Sequence, residues 1–404
     1  MIRRVLSVLL VILLIAVLLK SCLVRDIQNS DNQKLSEETP KLEWSYPTPK
    51  NVTINGIDYL QSQAPIGKFG GELISSTIGE GPKTFNPFNS KDNTSSTMAG
   101  IMYDGLLTTD PITGETIPKL AKSYSISPDG KTYTIKLRHG ITWTDGKPIT
   151  ADDVVFTWRD IIFAGLGDTS TRDSLVIDNK LPTVRKIDNY TVEFETPKPY
   201  APFIRMLSAS IAPKHIFMPA VKKGNAYFES FLSTNTPPKD FVTSGAFKLK
   251  EYVPAQRVVF ERNPNYYEIN KKDEKLPYLD KYIFLIVGDL NNEVLKFEAK
   301  ELDVISLQGS KVARYKSLEP HSDFKLYNLG PTTGTMYLSM NLNNRKNDKE
   351  NYYVNPIKQK WFQDLNFRTA VDYAIDRNNM VFNIANGIAS PLFTPDEIET
   401  PNDI

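Results

Sequence analysis

Ser127-Pro128-Asp129-Gly130-Lys131-Thr132-Tyr133-Thr134-Ile135-Lys136-Leu137-Arg138 opens on a turn and closes on a strand. Asp129-Gly130 is a hairpin signal, because glycine accepts the positive φ that tight turns demand. Beyond it, Tyr133, Ile135 and Leu137 alternate with Thr134, Lys136 and Arg138. A period of two puts the apolar side chains on one face of a half-buried strand. Trp143-Thr144-Asp145-Gly146-Lys147-Pro148 comes next, with Trp143 on a further short strand and Asp145-Gly146 as another turn. Thr150-Ala151-Asp152-Asp153-Val154 then begins a helix, with Thr150 as N-cap and Asp153 at the third helical position. Adjacent carboxylates invite a reading as a catalytic pair. Neighbours on a helix point about 100° apart, so these two do not share a site and capping is the expected role.

The same grammar extends on both sides. Gly70-Gly71-Glu72-Leu73-Ile74-Ser75-Ser76 reads as a glycine-led strand, and the pattern predicts a short helix over 94–103. Residues 191–195 form a strand with Val192 and Phe194 on one face, and 247–253 and 258–261 read as paired strands. The continuous apolar run 282–287 is that of a central strand buried on both faces. Helices are predicted over 291–300 and over 367–382, the second with Ala370, Val371, Ala374 and Ile375 on its apolar stripe. The polar stretch 345–358 reads as an exposed loop.

A chain of 404 residues is too long for one core, since single cores stop growing near ~250–300 residues, so several lobes are expected. The net charge of +1 shows no basic excess of the kind nucleic-acid binders carry. Arg3 and Arg4 precede the apolar run 5–19, which has the length of a secretory signal core and falls short of the ~18–20 residues that span a bilayer. Cys22 is the sole cysteine, so it has no internal disulfide partner. Its place after an apolar core and Ser21 resembles a bacterial lipobox, although Lys20 departs from that pattern. Two expectations follow: lipid attachment at Cys22, or an uncleaved N-terminal anchor. Both put the remainder outside the cytoplasmic membrane. Residues 23–65, rich in Asn, Ser, Gln, Glu and Pro, read as a flexible tether.

The motifs of several enzyme classes are missing from the sequence. It has no phosphate-binding P-loop, no dinucleotide fingerprint and no Gly-x-Ser-x-Gly elbow. His139, His215 and His321 are widely separated, in no metal-ligand spacing. Neither catalysis, nor a cofactor, nor a metal is expected.

Several stretches together resemble the peptide- and oligopeptide-binding proteins of ABC importers, the extracellular solute-binding proteins of family 5. They are Gly70-Gly71-Glu72-Leu73, Pro82-Lys83-Thr84-Phe85-Asn86-Pro87, Tyr103-Asp104-Gly105-Leu106-Leu107 and the ordered run from Thr113-Gly114-Glu115 to Val154. Ser244-Gly245-Ala246-Phe247-Lys248-Leu249, Glu261-Arg262-Asn263-Pro264-Asn265-Tyr266-Tyr267, Leu276-Pro277-Tyr278-Leu279-Asp280, Phe367-Arg368-Thr369-Ala370 and Tyr373-Ala374-Ile375-Asp376-Arg377 follow in the family's order. The likeness covers about 68–390.

The resemblance implies a mixed α/β, periplasmic-binding-protein-like clamshell of two lobes with an extra inserted domain. After an anchor (1–22) and the tether, the first lobe would take 66–107 and 241–331. The inserted domain would take 108–240, and a partial opposing lobe 332–404. Family members run past the position of Ile404, so the second lobe would be incomplete and the chain truncated. Ligand would lie between hinged lobes. By family position the contacts would be Lys91, Asn93 and Thr94, then Ser306, Leu307 and Gln308, then Thr332, Gly334 and Tyr337. A lone cation at Lys91 would favour a ligand carboxylate. The implied function is capture of oligopeptides or similar small solutes for import, with an ABC permease and ATPase as partners. The alternative is a surface lipoprotein that keeps the binding lobe for adhesion or signalling.

Overall fold

The computed structural model describes residues 47–110, 113–329, 336–347, 349–384 and 389–392. They fall into two units, one ending at Ile305 and the other beginning at Ser306. The apolar run 5–19 and Cys22 lie outside the described residues. Among those described, no helix is long and apolar enough to cross a membrane.

The first unit opens with an antiparallel hairpin, β1 (Lys50–Ile54) and β2 (Ile57–Gln61). This corrects the tether reading of 23–65 for these residues. Asn55 and Gly56 carry φ of 50° and 80°, the pair of positive values that a two-residue type I′ turn needs. The hairpin is held because Asp58 and Leu60 are buried, at 2% and 6% exposure.

β3 (Glu72–Ile78) and α1 (Asn93–Met102) follow, then the short pair β4 (Leu107–Thr109) and β5 (Thr116–Pro118). The hairpin β6 (Ala121–Ile126) and β7 (Thr132–Leu137) carries the decisive sequence, and Tyr133, Ile135 and Leu137 are buried as the alternation predicts. Trp143 is buried too, but its segment makes only a bridge from Thr142 to Pro148. The turn at Asp145-Gly146 closes at once, with the Gly146 amide donating to the Trp143 carbonyl, and leaves no room for a ladder.

At the start of α2 (Ala151–Phe156) the capping reading is met. Asp153 Oδ2 accepts the Thr150 amide at 2.9 Å and its Oδ1 accepts the Lys214 amide at 2.9 Å. Asp152 instead pairs with Lys186 at 2.8 Å, so the adjacent carboxylates do separate structural work. α2 runs into a π-helical turn, Thr157–Ile162. β8 (Thr183–Asp188) and β9 (Thr191–Glu195) complete an antiparallel sheet in the order β6-β7-β9-β8.

The chain continues through β10 (Phe247–Val253), β11 (Arg257–Arg262), β12 (Glu268–Ile269), β13 (Lys281–Val287) and α3 (Leu290–Glu298). A second sheet has the order β10-β11-β13-β3, with β13 parallel to β3. β13 is interior as predicted, yet only Phe284 and Val287 on it are fully buried. Helix α3 covers only part of one face, so the strand is half-buried rather than enclosed on both faces. One apolar cluster runs through this unit from Leu60 to Phe284 and takes in both sheets.

In the second unit lie α4 (Gly309–Leu318), α5 (Pro356–Gln363), α6 (Leu365–Ala374) and α7 (Arg377–Asn383). The loop predicted over 345–358 ends early, because Asn355 caps α5 through the Ile357 amide and Pro356 suits its first turn. The single helix predicted over 367–382 is two. Asp376 accepts the Asn379 amide as a new N-cap, so the helix breaks at Ile375. Ala370 and Ala374 of the predicted stripe are exposed, and α6 and α7 contain no buried residue.

A buried polar joint ties the N-terminal hairpin to the sheets. Fully buried Arg138 donates Nε to the Lys119 carbonyl (2.7 Å) and Nη1 to Asn51 Oδ1 (2.8 Å) and the Tyr59 carbonyl (3.3 Å). Lys119 pairs with Glu268, whose carboxylate also accepts the Tyr266 hydroxyl at 3.1 Å. The Tyr267 hydroxyl donates to Asp104 at 2.8 Å. Burial raises the Asp104 carboxyl to about 6, against the pull of Lys119. Asp58 behaves in the opposite way. Burial alone would raise it, but bonds from Thr53, Lys122 and the His139 amide outweigh that and hold it at about 2.

These two groups give opposite slopes of stability with pH. Asp58 sits below its ordinary 3.8, so its contribution is present above that value and is lost as pH falls through about 2. Asp104 sits above its ordinary 3.8, so the fold binds its proton more tightly than the unfolded chain does, and stability declines as pH rises from there through about 6. Asp104→Asn is expected to abolish that decline in denaturant midpoints, and Asp58→Asn to flatten the acid limb. Parallel curves for wild type and both variants are the contrary outcome.

Candidate functional site

β3 and β13 run parallel, so both end at the same edge of the sheet, where the Gly79 amide donates to the Val287 carbonyl at 2.8 Å. The carboxyl edge of parallel strands is where open α/β sheets present their ligand loops. From it the chain travels to α1 through Phe85-Asn86-Pro87-Phe88, and this loop is bolted down. Phe85 is fully buried, edge-on to Phe241 and Tyr252. Asn86 Nδ2 donates to the Phe231 carbonyl at 3.1 Å, and Asn89 Nδ2 to the Phe228 carbonyl at 2.7 Å.

The α1 start is equally fixed. Asp92 caps it, accepting the Ser95 amide at 2.9 Å and the Ser95 hydroxyl at 2.7 Å. Buried Ser95 in turn accepts the Lys83 amide at 2.9 Å. Thr94 shares a 2.9 Å hydroxyl bond with Thr77 of β3, and buried Glu293 accepts the Ser76 hydroxyl on the opposite face of that strand. Lys91 and Asn93 are exposed, and among the described residues Lys91 has no ion-pair partner. The segment therefore presents a free cation and a side-chain amide on a rigid base.

The remaining predicted contacts belong to the second unit. Ser306 and Gln308 are exposed and Leu307 is half-buried, with Gln308 at the N-cap position of α4. Tyr337 is 80% exposed. Thr332 and Gly334 lie outside the described residues. So Lys91, Asn93 and Thr94 share one fixed segment, and Ser306 to Gln308 share another in the other unit. Sequence reading missed Thr77, Ser76 and Glu293. The hydroxyl run Ser75-Ser76-Thr77 inside a strand was the available signal.

Two of the three histidines are tied into local structure. His139 stacks on Tyr190 with centroids 4.0 Å apart, and His215 Nε2 lies 2.7 Å from Asp145 Oδ2. Among the described residues no cluster of His, Cys, Asp and Glu is placed to hold a metal ion.

Comparison with known proteins gives a consistent result. The model of the bacterial extracellular solute-binding proteins, family 5 (middle region), matches residues 115–402. A probable ABC transporter-binding protein of Deinococcus radiodurans is 32% identical over 322 residues, covering 77% of this chain and 52% of that protein. The solved ABC transporter substrate-binding protein CtaP of Listeria monocytogenes is 29% identical with a TM-score of 0.54, over 78% of this chain and 57% of that one. The oligopeptide-binding protein AppA of Bacillus subtilis, solved with a nonapeptide, is 25% identical with a TM-score of 0.59, over 83% of this chain and 62% of that one. The chain spans about half the length of the curated relatives it matches.

Proposed function

The chain belongs to the bacterial extracellular solute-binding proteins of family 5, and from that premise we propose that it captures oligopeptides or similar small solutes outside the cytoplasmic membrane for an ABC permease and its ATPase. The observation that carries the reading is the family match, continuous over residues 115–402. The ligand would be held between lobes and released unchanged, which agrees with the lack of a nucleophile–base set in the sequence. We assign the first lobe to 66–107 and 241–331, the inserted domain to 108–240 and the opposing lobe to 332–404. Anchoring is assigned to lipid at Cys22 or to the uncleaved run 5–19.

In this reading Lys91, Asn93 and Thr94 grip one end of the ligand, with Ser306, Leu307, Gln308, Thr332, Gly334 and Tyr337 as the other contacts. Lys91 supplies the charge, and an exposed cation on a fixed base favours a carboxylate. Lys91→Ala is expected to weaken binding of a peptide with a free C-terminal carboxylate about tenfold, or ~1.4 kcal/mol, and to leave the C-terminal amide of the same peptide unaffected. Titration calorimetry on both ligands checks this. Equal losses for acid and amide, or no loss for either, would remove Lys91 from the ligand site while leaving peptide capture itself intact.

A further inference from the structure

A groove of about 220 Å³ lies inside the first unit, against the part of α1 that follows the Lys91 segment, and Lys91 itself does not line it. Its floor is apolar, made by Phe88, Ile161, Ile162 and Leu166, and the first three of these are buried. Its rim is hydroxylic, with Ser96 of α1 on one side and Thr171 and Ser208 on the other. The groove exists because α1 is narrow there. Ala99 and Gly100 face it, and a Cβ added at Gly100 would meet nothing within 4 Å.

The walls are rigid. Ile161 and Ile162 come from the π-helical turn Thr157–Ile162, where the Phe163 amide bonds the Trp158 carbonyl. Such widened turns occur often at functional sites. The Asp168 amide donates to the Phe88 carbonyl at 2.7 Å, which fixes the far wall to the floor. Ser210 bridges Gly105, which fixes the near one.

Charge chooses the occupant. Asp168 is the one ionisable side chain among the lining residues. Its oxygens accept the Ser170 amide (3.3 Å) and hydroxyl (2.7 Å), and no basic side chain pairs with it among the described residues. The lining thus keeps a net negative charge beside an apolar floor. Size limits the body, since a cavity of roughly 150 Å³ accepts benzene, so this one takes a group of about that size plus a polar head.

We propose that this groove binds a small organic ammonium ion, an alkyl- or arylalkylamine, with its apolar body on Leu166 and Phe88 and its ammonium at Asp168 and the rim hydroxyls. The proposal uses Asp168 and the groove lining, to which Lys91 does not belong, so it does not depend on how the Lys91 segment is read.

Saturation-transfer NMR on the full chain with benzylamine, and with benzyl alcohol as its neutral isostere, tests the proposal. Benzylamine is expected to bind saturably with a Kd of about 1 mM, the range open to a ligand of so few atoms, and benzyl alcohol at least fivefold more weakly. Gly100→Leu fills the groove from its open side and should weaken benzylamine at least tenfold. Its melting temperature should hold or rise, because leucine is the better helix former. Asp168→Asn should bring benzylamine down to the level of the alcohol. Absence of saturable benzylamine binding, equal binding of amine and alcohol to the wild-type chain, or full benzylamine binding in a folded Gly100→Leu chain would each overturn the proposal.

Discussion

Gly105→Ala is expected to destabilise the first unit by about 3 kcal/mol, at the upper end of what overpacking a filled interior produces. A Cβ at this position would lie 2.3 Å from the Ser208 carbonyl oxygen and 2.5 Å from its carbon. The obstacle is backbone, so no rotamer change relieves it. Gly105 also bridges to Ser210, and the Leu120 amide donates to its carbonyl at 3.2 Å. Chain shifts there would open the contact between β4 and the core. Differential scanning calorimetry should show a melting point lowered by roughly 6–12 °C, taking ~2–4 °C per kcal/mol for a domain of this size. A drop under ~2 °C would mean that the 207–210 segment gives way easily.

Arg138→Met is expected to cost about 2–4 kcal/mol. The side chain is fully buried, and its loss removes the donor of three part-buried acceptors: the Lys119 carbonyl, Asn51 Oδ1 and the Tyr59 carbonyl. A fully buried unsatisfied group costs on the order of 1–3 kcal/mol; the loss is smaller at Asn51, which water reaches, and is partly offset by the apolar methionine against Tyr267. Because Asn51 and Tyr59 sit on the N-terminal hairpin, that hairpin should release first. Amide exchange over 50–61 is therefore expected to accelerate well before global unfolding, whereas uniform acceleration across the unit would show that the hairpin is not separately held.

Much of this frame was legible in the residues. The alternation of Tyr133, Ile135 and Leu137, the capping role of Asp153 and the pairing of β10 with β11 follow from local chemistry that tertiary packing does not override. The hairpin at 50–61 was legible in principle, since Asn55-Gly56 is the strongest short turn signal, but polar composition around it masked the alternation of Val52 and Ile54 with Asn51 and Thr53. The break at Ile375 was not read because the apolar stripe continues through it, and only the N-cap at Asp376 ends the helix.

The motif glycines show what pattern recognition leaves out. In Tyr103-Asp104-Gly105 and Ser244-Gly245-Ala246, neither glycine needs a positive φ. Both are required by space, for a Cβ on Gly245 would lie 2.4 Å from the Ile101 carbonyl oxygen. The candidate site divides the same way. The Lys91–Thr94 segment was found from its place in the resemblance. Of its supports, Thr77 was hinted at only by the hydroxyl run of β3, and Ser95, which accepts the Lys83 amide, carries no signal of its own.

Equilibrium dialysis of the full chain against a defined mixture of tri- to hexapeptides, read by mass spectrometry on both sides of the membrane, is the most direct test of solute capture without chemistry. We predict that a subset of peptides accumulates on the protein side, saturably and with unchanged mass. No enrichment of any peptide, or peptides recovered as cleaved products, would contradict the account.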